Sequence, residues 1–285
     1  MFIPRSLMEE KLKQFLNEDI GEGDVTTSIV VPPNLEIKAE IIAKEDGVAA
    51  GIHEATILAE SMGLNVSTKV GDGDKIRNKQ ILLQLSGDAR TILCIERTML
   101  NLISRMSGIA TLTRAIVEKL SLANSQVKIA ATRKTALGLL YFDKKAIIVG
   151  GADSHRLHLD DLVLIKDNHL AIAGGVKKAV SQAKLKASLS KKIEVEVTSF
   201  EDALIAAKEG ADIIMLDNFS PDETKIACKN LRDAGFDKIL IEVSGGINSE
   251  NFLEYAGAQV NIMSMGELTQ NVKSLNISLE VTSEK

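Results

Sequence analysis

The sequence predicts an α/β protein in two parts. An N-terminal α+β domain covers residues 1–107, with the tail at 270–285 returning to complete it, and an open or incomplete (β/α) barrel of six or seven strands covers residues 108–269. Three observations carry this prediction. From residue 127 onward, short apolar runs alternate with helical stretches at spacings of roughly 20 to 30 residues, the rhythm of βα units in a parallel sheet. A full eight-fold barrel usually takes about 250 residues, whereas about 145 remain before the tail, room for six or seven units. Before residue 127 the strand-like runs are mixed with isolated helices, the pattern of a smaller α+β domain. A doubly wound sheet is the alternative, weakened in its dinucleotide-binding form because no Gly-x-Gly-x-x-Gly follows the first strand.

The elements follow in order. Met8, Leu12, Phe15 and Leu16 recur at helical spacing, so residues 8–16 form a helix that packs one face and ends in a turn at 21–24. Strands are expected over residues 37–43, 64–70 and 81–85, separated by a helix at 55–62 and a turn at 71–74. The run Gly71-Asp-Gly-Asp-Lys75 could pass for a biotin- or lipoyl-carrier hairpin. No Lys stands at a tip between small residues, so it reads as a plain tight turn. Two long helices are expected at 88–106 and 108–120, parted at Ser107-Gly108, with no Pro between Pro33 and Pro221 to interrupt either. The barrel strands fall at 127–131, 162–165, 193–197, 213–216, 239–243 and 260–263, and alternation at 277–281 marks a last strand.

Composition narrows the function classes. The 285 residues are 45% hydrophobic and 26% charged, enough for one large or two modest cores. A net charge of −5 argues against a nucleic-acid or anionic-membrane partner held by bulk electrostatics. Aromatics are 3% with no Trp, which disfavours base-stacking platforms. Cys94 and Cys228 lie far apart in no metal-ligand spacing and read as buried, inert thiols. No apolar run approaches the roughly 18 residues of a membrane span. The first residues lead into a helix with no signal-peptide core, so a cytoplasmic protein is expected.

Within this acidic chain, Arg133, Lys134, His155, Arg156, Lys166 and His169 cluster where apolar runs end. In barrels, such strand ends and the loops after them face one mouth. Taken singly, each cation is explained equally well by a surface ion pair; the set is not. Arg forks grip carboxylate or phosphate in bidentate fashion, and Lys offers a point charge. Together they suit a small, highly anionic substrate, such as a dicarboxylate beside a pyrophosphate. His155 donates to an anion or merely packs, and His169 reads as a capping or core residue.

In Ile193-Glu-Val-Glu-Val197 the aliphatics share one face, which puts Glu194 and Glu196 on the other, inside the barrel unless the strand is a solvated edge. Asp217 closes the buried run 213–216, where a charge is costly without a partner. A structural ion pair or cap explains it alone. Two acids on successive strands could hold Mg2+, which takes one or two carboxylates with substrate phosphates, or sugar hydroxyls. Ser244-Gly245-Gly246 precedes an expected helix near Asn248, and Ser264-Met265-Gly266 follows the next strand. Two such loops in succession fit a phosphate site, although a bare turn explains either one.

These motifs resemble those of the quinolinate phosphoribosyltransferase, or carboxylating nicotinate-nucleotide pyrophosphorylase, family. The resemblance runs through Glu18-Asp-Ile-Gly-Glu-Gly-Asp-Val-Thr-Thr27, Glu96-Arg-Thr-Met-Leu-Asn-Leu102 and Ser107-Gly-Ile-Ala-Thr111. It continues with Thr132-Arg-Lys-Thr135, His155-Arg156, Leu164-Ile-Lys-Asp-Asn-His169, Glu194-Val-Glu196, Ile214-Met-Leu-Asp-Asn218 and Ser244-Gly-Gly-Ile247. It implies transfer of phosphoribose from phosphoribosyl pyrophosphate to quinolinate with loss of CO2, giving nicotinate mononucleotide for NAD biosynthesis. It further implies a homodimer, a hexamer or another multiple of dimers, with Arg97 reaching the neighbouring subunit's site.

By position, Thr132, Arg133, Lys134, His155, Arg156 and Lys166 would hold the quinolinate carboxylates and neighbouring phosphate oxygens. Glu196 and Asp217 would take the ribose hydroxyls and Mg2+, and Ser244, Gly245, Gly246 and Gly266 the 5′-phosphate. Lys134, Lys166, Glu196 and Asp217 are the catalytic candidates.

The chain departs from the family pattern in Ala131-Thr-Arg-Lys-Thr-Ala-Leu-Gly-Leu-Leu140, which lacks a Pro and an Arg, and in Ala152, where a third Gly is common. The alternatives are a relative on the same scaffold that accepts nicotinate or another acceptor, and a non-catalytic anion-binding protein. Retention of Arg97, Arg133, Arg156 and Lys166 favours the dicarboxylate, and retention of both acids favours turnover.

Overall fold

The computed structural model describes residues 3–123 and 125–284. The chain forms two compact units. One comprises Met1–Arg114, Lys145–Gly151 and Val272–Lys285, the other Ala115–Lys144 and Ala152–Asn271.

In the first unit, α1 (Arg5–Ile20) buries Met8, Leu12 and Leu16, the stripe set by its periodicity. The short α2 (Val25–Val30) is capped by Asp24, whose carboxylate accepts the Thr27 N–H at 2.9 Å. Strand β1 (Glu36–Ala43) alternates, burying Ile37, Ala39, Ile41 and Ala43. It is followed by β2 (Gly47–Val48), α3 (Ile52–Ser61), β3 (Asn65–Thr68), β4 (Lys75–Ile76) and β5 (Ile81–Asp88). The turn at 71–74 forms as expected, with the Gly71 N–H donated to Asp74 Oδ2 at 2.7 Å. The strand expected at 277–281 forms as β12 (Ile277–Glu284) and pairs antiparallel with β1, giving the sheet order β12-β1-β5-β3.

The two helices expected around Gly108 are one: α4 runs unbroken from Ala89 to Leu122. A Gly inside a helix costs only about 1 kcal/mol. That is too little to break a helix that buries Ile103, Met106, Ile109 and Ala110. Gly108 instead admits another strand of backbone, since a Cβ there would fall 2.2 Å from the Lys273 carbonyl oxygen.

The second unit is built on βα units. It contains β6 (Lys128–Ala131), α5 (Leu140–Gly150, whose last six residues belong to the first unit), β7 (Val163–Ile165), α6 (Asp167–Ala173) and α7 (Val176–Lys186). Then come β8 (Ile193–Val197), α8 (Phe200–Lys208), β9 (Ile213–Asp217), α9 (Pro221–Asp233) and β10 (Leu240–Ser244). A 3-10 turn at Phe252–Tyr255, β11 (Ile262–Met265) and α10 (Glu267–Gln270) complete it.

The six strands form one parallel sheet in the order β6-β11-β10-β9-β8-β7. The edge strands β6 and β7 do not pair with each other, so the barrel is open. A single bridge between Ala130 and Asp153 extends the β6 edge. Val195, Ile214, Leu216, Val243 and Met263 are fully buried, each contributing roughly 1.5–3 kcal/mol by leaving water. The α-helix expected near Asn248 is absent. There the Asn248 carboxamide accepts the N–H groups of Glu250 and Asn251, and only the 3-10 turn follows.

Candidate active site

Parallel register brings the strand ends together. Ser244 lies beside Asp217 across β10 and β9, Glu196 beside Met215 across β8 and β9, and Met265 beside Ala131 across β11 and β6. The loops beyond these ends enclose a cavity of about 890 Å3. Thr132, Arg133, Lys134, His155, Arg156, Lys166, Glu196, Asp217, Ser244, Gly245, Gly246 and Gly266 all line it. His169 does not. It exposes its side chain and caps α6, its Nδ1 accepting the Lys166 N–H at 2.9 Å. Arg97 belongs to the first unit, on α4, with its side chain 64% exposed and 4.0 Å from Glu96.

Glu194 and Glu196 share the inner face of β8, as the alternation requires. Glu196 reaches the cavity and pairs with Lys166 Nζ at 2.5 Å. Glu194 is fully buried. Burial and the charge of Glu242 push its carboxyl upward against the pull of His155, Arg156 and Lys166. Asp217 is also pushed up, by burial and by Glu196, while Lys166 and Lys134 oppose the shift. The charge of Glu196 beside Asp217 makes a donor set that a cation would relieve. As a pair they suit Mg2+ arriving with a phosphorylated substrate better than a metal held by protein alone.

His155 follows an Asx turn. Its N–H donates to Asp153 Oδ1 at 2.7 Å and its φ is +52°. The ring is carried onto Glu242 Oε2 at 3.1 Å, with Glu194 Oε2 at 3.5 Å. Ser264 Oγ donates to the other Glu242 oxygen at 2.5 Å. Burial disfavours the imidazolium, but the Glu242 hydrogen bond and the charges of Glu242 and Glu194 outweigh it and raise the His155 pKa. Ligand atoms of these three residues lie within 4.8 Å of one another. Arg156 and Lys166 pull the Glu194 carboxyl down, while the Lys144 charge opposes the imidazolium. His155 lines the cavity with its Nε2 turned to these two acids.

The loop after β6 is ordered without the family's Pro. The Thr135 N–H donates to Arg133 O at 3.0 Å, the Leu139 N–H to Ala136 O at 3.1 Å, and Thr269 Oγ1 to Lys134 O at 2.8 Å. Leu137, before Gly138 at the loop's tip, is fully exposed. Across the cavity, Gly245 has φ +92°, and a Cβ there would fall 2.6 Å from the Asn218 backbone nitrogen. Only glycine allows that approach. Among the described residues, the Gly246 and Ile247 N–H groups make no hydrogen bond, which leaves donors for phosphate.

Sequence reasoning missed three residues here. Glu242 lines the cavity from within an apolar strand. Asp143 and Lys144 sit fully buried on α5. For Glu242 the signal was an ionisable residue inside an otherwise apolar run, whereas Asp143 and Lys144 belong to the charged run Asp143-Lys-Lys145, which gave no such signal. The two cysteines are free, but only Cys228 is buried; Cys94 is partly exposed, contrary to expectation. Among the described residues no helix is long and apolar enough to cross a membrane.

The chain matches the family models for the N-terminal domain of quinolinate phosphoribosyl transferase over residues 24–107 and for its C-terminal domain over residues 109–280. It is 46% identical over 274 residues to a probable nicotinate-nucleotide pyrophosphorylase (carboxylating) of Methanocaldococcus jannaschii, covering 95% of each chain. The similarly named protein of Methanothermobacter thermautotrophicus is 41% identical over 275 residues, 96% of this chain and 99% of that one. The crystal structure of NadC from Streptococcus pyogenes superposes with a TM-score of 0.90 at 33% identity, covering 99% of this chain and 100% of that one.

Proposed function

The chain belongs to the quinolinate phosphoribosyltransferase family, and from that premise we propose that it transfers phosphoribose from phosphoribosyl pyrophosphate to quinolinate with decarboxylation, yielding nicotinate mononucleotide, pyrophosphate and CO2 in NAD biosynthesis. One observation carries the reading. Arg133, Lys134, His155, Arg156 and Lys166 face a single cavity that also holds Glu196 and Asp217. So many cations exceed what one carboxylate or one phosphate needs, and they suit the two carboxylates of quinolinate beside a pyrophosphate.

Arg133, Arg156, His155 and Lys166 grip the carboxylates and orient the pyridine nitrogen toward ribose C1. The C1–O bond breaks with its electron pair leaving on pyrophosphate, and the nitrogen lone pair forms the new C1–N bond. The sugar gains positive charge in the transition state, as in glycosidic cleavage. Glu196 and Asp217 stabilise that charge, and Lys134 the leaving group. The ring nitrogen is now cationic, so the C2–carboxylate bond can break. CO2 departs, and the electron pair left on C2 takes up a proton.

Glu196 and Asp217 are the residues that would hold Mg2+ with the pyrophosphate, where it supplies neutralising charge. Ser244, Gly245, Gly246 and Gly266 offer small residues around the free Gly246 and Ile247 N–H groups to the 5′-phosphate, and Thr132 opens the loop opposite. The reading includes a cytoplasmic enzyme, since its phosphorylated substrate does not cross membranes. It also includes a dimer or multiple of dimers in which the exposed Arg97 serves the neighbouring subunit. Mixing inactive Arg97→Ala and Lys166→Ala subunits should then restore activity in hybrid dimers.

The deciding experiment incubates the protein with phosphoribosyl pyrophosphate, Mg2+ and either quinolinate or nicotinate, following product mass and CO2 release. Turnover of quinolinate with stoichiometric CO2 is expected. Equal turnover of nicotinate would remove the dicarboxylate argument, and no turnover of either would favour a binding protein.

A further inference from the structure

Lys144 is a lysine with no access to solvent. It lies on α5, and its ammonium faces backbone carbonyls. Nζ donates to Ala131 O at 3.1 Å and, in a shorter contact, to Ser154 O. Burying an ammonium is costly, and an apolar side chain of similar volume would fill the same space without that cost. What the lysine does that Met or Leu cannot is bond two carbonyls at once.

Both carbonyls stand immediately upstream of substrate-gripping cations. Ala131 precedes Thr132-Arg133-Lys134, and Ser154 precedes His155-Arg156. The two segments already touch. The Ala131 N–H donates to Asp153 O at 3.0 Å, and the Asp153 N–H to Ile129 O at 2.8 Å. This single bridge at an open sheet edge is all the pairing they share, too little to fix the loops beyond it. Beside Lys144, buried Asp143 reaches the same loop, accepting the Ala136 N–H at 3.4 Å.

We propose that Lys144 is a positioning residue for the acceptor acid: its buried ammonium ties the ends of β6 and of the 152–154 segment together, so that Arg133 on one side and His155 and Arg156 on the other hold a fixed spacing matched to the two carboxylates. The assignment of those carboxylates rests on the function proposed above; the clamp itself does not. Most groups given to phosphoribosyl pyrophosphate stand at the ends of β8, β9, β10 and β11; Lys134, in the clamped loop, is the exception, and Thr269 Oγ1 holds its carbonyl independently of Lys144. Its removal should therefore separate the two substrates, which a general loss of stability would not do.

The test compares wild type with Lys144→Met, which keeps the volume, and Lys144→Gln, which keeps two neutral donors. In Lys144→Met the quinolinate Kd should rise at least tenfold while that for phosphoribosyl pyrophosphate changes less than threefold. Lys144→Gln should fall between the two proteins and serves if Lys144→Met fails to fold. Amide hydrogen exchange without substrate should accelerate at residues 131–134 and 154–156 together. Equal weakening of both substrates, a quinolinate Kd within threefold of wild type, or unchanged exchange in those segments would overturn the proposal. If wild type itself does not bind quinolinate, the proposed function fails, and the exchange measurement still decides the clamp.

Discussion

Replacing Lys166 with Met separates substrate capture from fold stability. In the free protein its ammonium sits 2.5 Å from Glu196 Oε2, with the two side chains 44% and 14% exposed. A pair so open to water contributes at most about 1 kcal/mol to folding. At about 2–4 °C per kcal/mol for a chain of this size class, the melting temperature should fall by no more than a few degrees. Binding is another matter. In the proposed function the same ammonium would serve a quinolinate carboxylate as well as Glu196, in a cavity from which the ligand would displace water. Truncating one partner of such a charge-assisted contact costs about 2–5 kcal/mol, a loss of roughly 30- to 4,000-fold in affinity. Calorimetric titration with quinolinate, beside a thermal melt of the same preparation, reads both numbers. A Kd within threefold of wild type would refute the placement of Lys166 against the acceptor. A melting temperature lowered by more than about 10 °C would show that the pair holds the fold, against the weak exposed-pair argument.

Three further outcomes follow from the geometry. Glu242→Gln removes both the hydrogen bond and the charge that raise His155, so an NMR titration of the imidazole should show its pKa falling. Because folding raises this pKa above the usual 6.5, the stability it supplies is complete below about pH 6.5 and fades as pH climbs through the folded value. Denaturant melts across that range should lose part of this dependence in the variant. In the first unit, Lys145 Nζ pairs with fully buried Glu54 at 2.7 Å and with Asp72 at 2.8 Å. Lys145→Met strands a buried carboxylate and should cost about 3–5 kcal/mol; adding Glu54→Gln should restore most of it, and an unchanged midpoint would contradict this. Gly245→Ala forces a Cβ against the Asn218 backbone at a positive φ, a strain of about 1–3 kcal/mol. It should weaken phosphoribosyl pyrophosphate while sparing quinolinate, as equilibrium titrations with each substrate would show.

Much of this molecule could be read in advance, and the physical reason is periodicity. The largely apolar runs at 127–131 and 213–216 became β6 and β9 because a parallel strand covered on both faces is mostly apolar, while the alternating run 193–197 became β8. Those runs end where the chain turns at the mouth, so the charged residues at their ends line the cavity. Alternation within Ile193–Val197 likewise told that Glu194 and Glu196 share a face. Where the reading failed, a distant segment had intervened. Gly108 looked like a helix break because local propensity cannot register the Lys273 backbone lying against it. The helix expected after Gly246 gave way to side-chain caps on the 248–251 backbone.

The order of apolar runs, the charged strand ends and the family motifs were thus determined by the sequence alone, since each is a property of neighbours along the chain. Tertiary structure decided which carboxylate faces the cavity paired with Lys166 and which lies buried against His155. It also decided that Glu242, carried on a strand far along the chain, raises the proton affinity of that imidazole, and that Lys144 bonds two carbonyls rather than solvent. These are energies of burial and charge between groups that only folding brings within a few ångströms, and no spacing in the chain encodes them.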